Sequence, residues 1–323
     1  MTVELIINHA GGIYAPLVCE DIQVQTERRG SPGKLTFTVL NNGLNNGAVN
    51  FSEGDAVRLS VDGKKLFYGF IFTQKRTKSD AVQITAYDQI RYLKNKDTYT
   101  YTNKTASDFL RMVARDYKLQ LGTVDPCSYR IPSRVEDNET LLDMIENALD
   151  QELLNKKQMY VLYDDCGRLC LRSLANMKLD LLIDNETAED FDYGSSIDSD
   201  TYNRIKLSRD NENTGKRDVY IAKDTSHINK WGILQYTDTL QDGENGKQKA
   251  DSLLKLYNSP TRTLKISGAL GDTRVRGGSL VAIMLSLGDI ELKNYMLVEN
   301  CKHTFTNEQH TMDLTLRGGE FIA

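Results

Sequence analysis

Three side chains near the end of this 323-residue sequence could in principle do chemistry together: Cys301, His303 and His310. A thiolate beside an imidazole makes a nucleophile, and the same three groups make part of a zinc shell. Their setting, CKHTFTNEQHTMDLTL, alternates apolar and polar residues on both sides of Thr306-Asn307-Glu308-Gln309, which predicts two strands joined by a tight turn. With Asn307-Glu308 as a two-residue loop, Thr306 pairs with Gln309, Phe305 with His310 and His303 with Met312. One face then carries Cys301, His303, Phe305, His310, Met312, Leu314 and Leu316. The other carries Lys302, Thr304, Thr311, Asp313 and Thr315. His303 and His310 become diagonal neighbours roughly 7–8 Å apart at Cα.

Both chemical readings of this face are short of parts. Zinc wants four ligands, three of them protein groups even in an open site, and those ligands need hydrogen-bonding partners of their own. No acidic residue falls on the inner face, and Asp313 points away. A Cys301/His303 nucleophile lacks an orienting acid or Asn on that face, and nothing nearby suggests an oxyanion hole. The plainer reading is a pair of half-buried histidines hydrogen-bonded at the rim of a sheet. A hydrolase or zinc-dependent enzyme built on this hairpin is the alternative function.

The remaining candidates are weaker. Cys166 and Cys170 flank a DDCGR turn with no Cys or His pair downstream at zinc-ribbon spacing, so they read as packing residues of a hairpin. DNENTGK, residues 210–216, opens like a calcium loop, yet Ile221 stands where a bidentate Glu is required. Glu136 and Asp137 sit just before a predicted helix, where anions are favourable on their own account. No phosphate-binding glycine loop, dinucleotide fingerprint, zincin helix or nucleophile elbow occurs. The expectation is no catalytic residue, no cofactor and no enzyme.

Composition narrows the partners. Forty Lys and Arg against forty-five Asp and Glu give a net charge of −5, with the signs well mixed, which disfavours binding nucleic acid through counterion release. Five cysteines, odd in number and scattered, follow a start (MTVELIINH) that lacks a basic region before an apolar run. That predicts a cytoplasmic product with free thiols. No stretch approaches the roughly 18 apolar residues of a membrane span. Sixteen Tyr against one Trp suits partly wet protein contacts.

These residues must be positioned by a β-rich, α+β chain. Residues 1–92 read as a meander of short strands, VELII, DIQVQTERR, KLTFTVL, DAVRLSV, KLFYGFIFTQKR and AVQITAY, separated by turn signals, which suggests a first small β-barrel. Within it NNGLNNGAVN, residues 41–50, is too rich in Asn and Gly for a strand. Asn41, Asn42, Asn45, Asn46 and the following Phe51 are therefore candidates for a partner contact. Residues 93–198 read as an α+β unit. Thr105 and Asp108 form a capping box ahead of Phe109, Leu110, Val113 and Tyr117, and a second helix spans 138–155 with Leu141, Leu142, Ile145, Leu149 and Leu153 inward. MYVLYDDCGRLCLRS then makes a hairpin. DYGSSIDSDTYN, residues 192–203, is the expected junction, and 199–323 a second small β-barrel with one helix through KQKADSLLKLY. The two β-rich ends repeat one pattern: GDAVRLSV (54–61) matches GGSLVAIM (277–284), FYGFIFTQKR (67–76) matches NYMLVENCKH (294–303), and VQITAYD matches MDLTLRG, with an offset drifting from about 223 to 230 residues.

Three stretches resemble phage-tail baseplate hub proteins of the XkdQ/YqbQ type, found in contractile tails, tailocins and defective prophages. They are GGSLVAIMLSLGDIELKNYMLVENCKHTFTNEQHTMDLTL, with Tyr295-x-x-Val298, His303-x-Phe305 and His310-x-Met312-x-Leu314; residues 68–119; and NRIKLSRDNENTGKRDVYIAKD. The resemblance implies a homotrimeric ring at the end of the tail tube. Each protomer would bring two similar barrels, so that a six-fold tube sits on a three-fold spike. It implies as partners the tube protein, the spike, other baseplate proteins and the tape-measure protein, with assembly in the bacterial cytoplasm before incorporation into the particle. It offers no catalytic residues to carry over.

Overall fold

A computed structural model of the chain describes residues 1–40, 51–76, 78, 81–198, 200–211, 215–240, 244–286, 291–306 and 309–318. The expected meander forms: β1 (Val3–His9), β2 (Gly12–Tyr14), β3 (Ile22–Glu27), β4 (Lys34–Leu40), β5 (Ala56–Val61), β6 (Lys64–Arg76) and β7 (Ala81–Tyr87). Alternation places Leu5, Ile7, Val24, Leu35, Phe37, Val57, Leu59, Ile71 and Ile84 in one core.

The middle of the chain contributes β8 (Lys96–Lys104), α1 (Ala106–Asp116), β9 (Leu121–Val124), β10 (Ile131–Thr140), α2 (Leu141–Lys156), β11 (Tyr160–Asp164) and β12 (Leu169–Ser173). Thr105 and Asp108 cap α1 reciprocally, and Phe109, Leu110 and Val113 are buried against α2 and β12. α2 starts at Leu141, where its apolar pattern begins and not at the expected 138, because β10 runs on to Thr140, whose hydroxyl accepts the Asp143 N–H at 3.1 Å. Glu136 therefore does not sit at a helix N-terminus. It is buried mid-strand against Arg134, Nε to Oε1 2.5 Å.

β13 (Lys178–Asp184) and β14 (Asp190–Ser196) follow, so the stretch read as a junction opens with a strand. Beyond it come β15 (Arg204–Asn211), β16 (Lys216–Lys223), α3 (Thr225–Trp231), β17 (Gln235–Thr239), α4 (Gly246–Tyr257), β18 (Thr261–Leu270), β19 (Leu280–Ser286), β20 (Glu291–Phe305) and β21 (His310–Gly318). β15, β16 and β17 form a small sheet covered by α4 through Ile205, Leu207, Ala250 and Leu253.

Two six-stranded runs share one strand order. The first is β3-β4-β7-β6-β5-β1 and the second β14-β18-β21-β20-β19-β13. The second has its own core of Leu264, Ile266, Val281, Ile283, Val298, Cys301, Met312, Leu314 and Leu316. The long middle strand of each carries a bulge at the same place: the register shifts between Ile71 and Thr73 against β7, and between Val298 and Asn300 against β21. Ile71 to Val298 and Thr73 to Asn300 are both steps of 227 residues. One difference separates the runs, since β1 pairs antiparallel with β5 while β13 lies parallel to β19.

The expectation of two closed barrels meets a different arrangement. Among the described residues neither run closes on itself, and β3 pairs antiparallel with β20 to fuse both into one 13-stranded sheet. The long strand β20 makes this possible: residues 291–297 are used by β19, and residues 300–305 past the bulge continue beyond it and present backbone to β3.

Candidate functional site

The β20–β21 hairpin has the register its sequence predicts. Phe305 lies opposite His310, His303 opposite Met312 and Cys301 opposite Leu314, and the Thr306 N–H donates to Gln309 O at 2.9 Å. The turn residues Asn307 and Glu308 lie outside the described residues. Cys301, His303, Phe305, Met312, Leu314 and Leu316 are all buried, while on the outer face Lys302 Nζ pairs with Asp313 Oδ2 at 2.7 Å.

The hydrogen bonds fix the chemistry of the inner face. His303 Nε2 lies 2.8 Å from Val275 O, and a carbonyl can only accept, so that nitrogen carries the proton. His303 Nδ1 then accepts from His310 Nε2 at 2.9 Å. Burial pushes the His303 pKa down to about 4, the Val275 carbonyl opposing this and His310 adding to it. Cys301 Sγ sits 3.3 Å from His303 Nε2 and 3.8 Å from Val275 O, and its thiol is pushed far up by burial. The pair is thus a neutral thiol beside a neutral imidazole, the opposite of an activated nucleophile. One His303 nitrogen holds a proton and the other accepts from His310, so neither presents a free lone pair to a metal. Among the described residues no three His, Cys, Asp or Glu side chains converge on a metal position.

Comparison with the first run shows what these side chains do. The segment before β19 and the segment before β5 are the same turn. Gly278 N–H donates to Val298 O at 2.7 Å and Gly54 N–H to Ile71 O at 2.8 Å; Val298 N–H donates to Ser279 O and Ile71 N–H to Asp55 O, both at 2.9 Å. Ser279 Oγ accepts the Arg276 N–H as Asp55 Oδ2 accepts the Ser52 N–H. The two glycines have φ of +93° and +92°, a conformation that L side chains rarely adopt. Val275 is therefore the counterpart of Phe51, and the Phe51 carbonyl also takes a side-chain donor, Gln74 Nε2 at 2.7 Å. Gln74 stands where Cys301 stands in the second run. The Cys301/His303/His310 group and Gln74 do the same job, tying the turn to the long strand.

Phe51 is half-buried against the first core, in a ring cluster with His9 and Tyr14. Asn41, Asn42, Asn45 and Asn46 lie outside the described residues. Cys166 and Cys170 belong to the β11–β12 hairpin, Cys166 in its turn at φ +49° and Cys170 buried in the sheet.

Sequence reasoning missed the seam between the runs. Besides the β3–β20 ladder it holds Gly277 N–H donating to Thr26 Oγ1 at 2.9 Å, and Arg28 Nε paired with Glu299 Oε2 at 2.7 Å. A Cβ on Gly277 would come within 2.3 Å of the Glu27 carbonyl carbon, so only glycine fits. The middle unit joins there as well. Arg276 donates to Asp164 O at 3.0 Å and lies 4.4 Å over the Tyr163 ring, while Gln89 Nε2 donates to Asp164 Oδ2 at 3.0 Å. The neighbouring Asp88 carboxyl, pushed well up by burial and then by Asp164, accepts from the Gly33 and Ile90 N–H groups. A cleft of about 470 Å³ opens between α2, β17, α4 and β20. Among its charged groups, Arg29 pairs with Glu146 and Asp150, and Lys249 with Glu244 and Asp238.

Two β runs of one strand order are thus fused edge to edge through β3 and β20. The same fold occurs in the 43 kDa tail protein of prophage MuSo2 from Shewanella oneidensis (TM-score 0.72, 11% identity, 97% of this chain and 98% of that one). It occurs also in the E. coli c3393 protein, a type VI secretion component described as similar to T4 tail proteins gp27 and gp5 (TM-score 0.59, 11% identity, 98% and 78%). The particular family is closer: the sequence model of the YqbQ-like family matches residues 22–317, and the chain belongs to that family. A relative in Bacillus subtilis (strain 168), the phage-like element PBSX protein XkdQ, is 31% identical over 308 residues, covering 93% of each chain.

Proposed function

We propose that this chain is a structural baseplate hub protein of a phage-like contractile tail. Three copies form a ring that adapts a six-fold tail tube to a three-fold spike. The observation that carries the reading is the pair of runs with one strand order, one bulge and one leading turn, joined within the chain by β3–β20. Three chains then present six quasi-equivalent β runs, which is the number a six-fold tube requires.

Support comes also from the family, whose relative XkdQ belongs to a phage-like element, and from a fold shared with tail and type VI secretion proteins. The tube protein, the spike, other baseplate proteins and the tape-measure protein are the partners of such a ring, with assembly in the bacterial cytoplasm and final residence in the particle. The proposed role is structural and not enzymatic, which the neutral Cys301–His303 pair supports, both buried and His303 bonded on both ring nitrogens. The segment 41–53, which includes Asn41, Asn42, Asn45, Asn46 and Phe51, contacts the tube or a baseplate neighbour; deleting it and still obtaining normal particles would remove that assignment. The main test is the copy number of this chain against the tube protein in purified tails by quantitative mass spectrometry. Three copies per tail end are expected, and absence from the particles would refute the proposal.

A further inference from the structure

The β3–β20 junction inside the chain has an equivalent position at each end of the duplicated runs. Residues 300–305 of β20, past its bulge, pair with β3, Asn300 opposite Glu27, Cys301 opposite Thr26, Lys302 opposite Gln25 and His303 opposite Val24. In the first run the same part of β6, residues 73–76, has β7 on one edge and no strand on the other among the described residues. Its side chains show the difference: Gln74 is half-buried and Arg76 exposed, whereas their counterparts Cys301 and His303 are buried. The counterpart of β3 in the second run is β14, which holds β18 on one side and, among the described residues, ends the sheet on the other. Each chain thus carries one donor edge and one acceptor edge of a junction it has already made once internally.

We infer that the free edge of β6 at residues 73–76 pairs antiparallel with the free edge of β14 in a neighbouring copy, in the register of the internal seam. The inference rests on the ring reading and names its interface. Transferring the seam strand by strand sets Thr73 opposite Ser196, Gln74 opposite Ser195, Lys75 opposite Gly194 and Arg76 opposite Tyr193 of the next copy. Main-chain hydrogen bonds supply the affinity, as wherever a strand adds to an open edge. The contact is head-to-tail, so it propagates until rotation closes it.

Two details fit. The acceptor strand begins Asp190-Phe191-Asp192, and Asp192 falls diagonally across from Lys75, within reach of a cross-strand ion pair. In the internal seam Thr26 Oγ1 accepts the Gly277 N–H; Ser195, the counterpart of Thr26, carries the same hydroxyl. One position departs: Glu53 occupies the place of Gly277, so the new junction lacks that closest backbone approach and relies more on its charges.

The test uses the full chain carrying Lys75→Cys with Gly194→Cys. Both sites accept the change, Lys75 being exposed and a Cβ at Gly194 having nothing within 4 Å. Under mild oxidation, in a Cys19→Ser background that removes the exposed native thiol, the double variant should give a ladder of disulfide-linked multimers on non-reducing gels, each single variant none. Lys302→Cys with Gln25→Cys, the internal equivalent, should close within one chain without changing its mass. Light scattering on the unmodified chain is run in parallel, with Lys75→Glu/Arg76→Glu expected to shift it to the monomer. A multimer that neither cross-links through 75 and 194 nor responds to the charge reversal would overturn the strand pairing while leaving the ring. A chain monomeric at every concentration would overturn both.

Discussion

Replacing His303 by Gln should remove a specific part of the acid sensitivity of the fold. His303 is buried, holds its proton on Nε2 against Val275 O, and has a pKa of about 4 against an ordinary 6.5. A base with a depressed folded value favours its neutral form in the fold. Its contribution is complete above 6.5 and is lost as pH falls from there through about 4. Between pH 7 and pH 5 the loss for this residue is about 2 kcal/mol. Urea unfolding of both proteins at the two pH values is the assay. Gln does not titrate, so the wild type should lose about 2 kcal/mol more than the variant on acidification. His310, also held low by burial, stays in both proteins and leaves a smaller slope in the variant. Equal pH dependence in the two proteins would refute the assignment of His303 as a buried neutral donor, and would reopen the hairpin as a place for chemistry.

Other substitutions test the scaffold. Glu152→Ala should cost about 3 kcal/mol in a denaturant titration, because the buried carboxylate accepts from Ser128 N–H, Ser128 Oγ and Tyr129 N–H and its loss strands those donors. Gly278→Ala should destabilise more than Gly54→Ala although both have the same φ: at Gly278 a Cβ meets Val161 Cγ1 at 2.4 Å, at Gly54 it meets nothing within 4 Å. About 1 kcal/mol is expected at Gly54 from backbone strain alone, read from thermal midpoints. Gly277→Val should open the β3–β20 seam, seen as faster amide exchange over residues 22–27 with the α1–α2 core unaffected.

What could be read in the sequence was what depends on local period. The hairpin register, the meander and the α1 cap follow from alternation and capping chemistry within a few residues of each other. The repeat was visible too, and NYMLVENCKH falls on FYGFIFTQKR in register. The GDAVRLSV match was one residue out, since Gly54 corresponds to Gly278 and not Gly277. In a strand that slip exchanges the two faces. The turns that pin the alignment, Phe51-Ser-Glu-Gly-Asp and Val275-Arg-Gly-Gly-Ser, share only a glycine, because their common bonds are mostly main-chain and carry no side-chain signature. The seam was illegible for a related reason. DIQVQTERR alternates the same way whichever strand it pairs with, and its partner lies over 270 residues away. β14 was hidden because an edge strand needs few apolar residues; only Phe191 and Tyr193 turn inward from it.

The divergence between the two runs follows from which edges are covered. Past its bulge β20 lies under β3, so the side chains facing inward there are sealed from water and must satisfy Val275 O with groups that are neutral when buried, a thiol and an imidazole. Past its bulge β6 has no strand on its other edge among the described residues, and the same positions hold Gln74 and Arg76, groups that tolerate water. A charge at Arg76 would be costly under a permanently paired strand and is acceptable at an edge that is open before assembly. Lys75 and Arg76 on that edge also discourage two β6 edges from pairing with each other while still admitting an acidic strand such as β14. On the pairing we infer, the cluster that first looks catalytic is the interior, already paired version of a contact whose exterior version is charged.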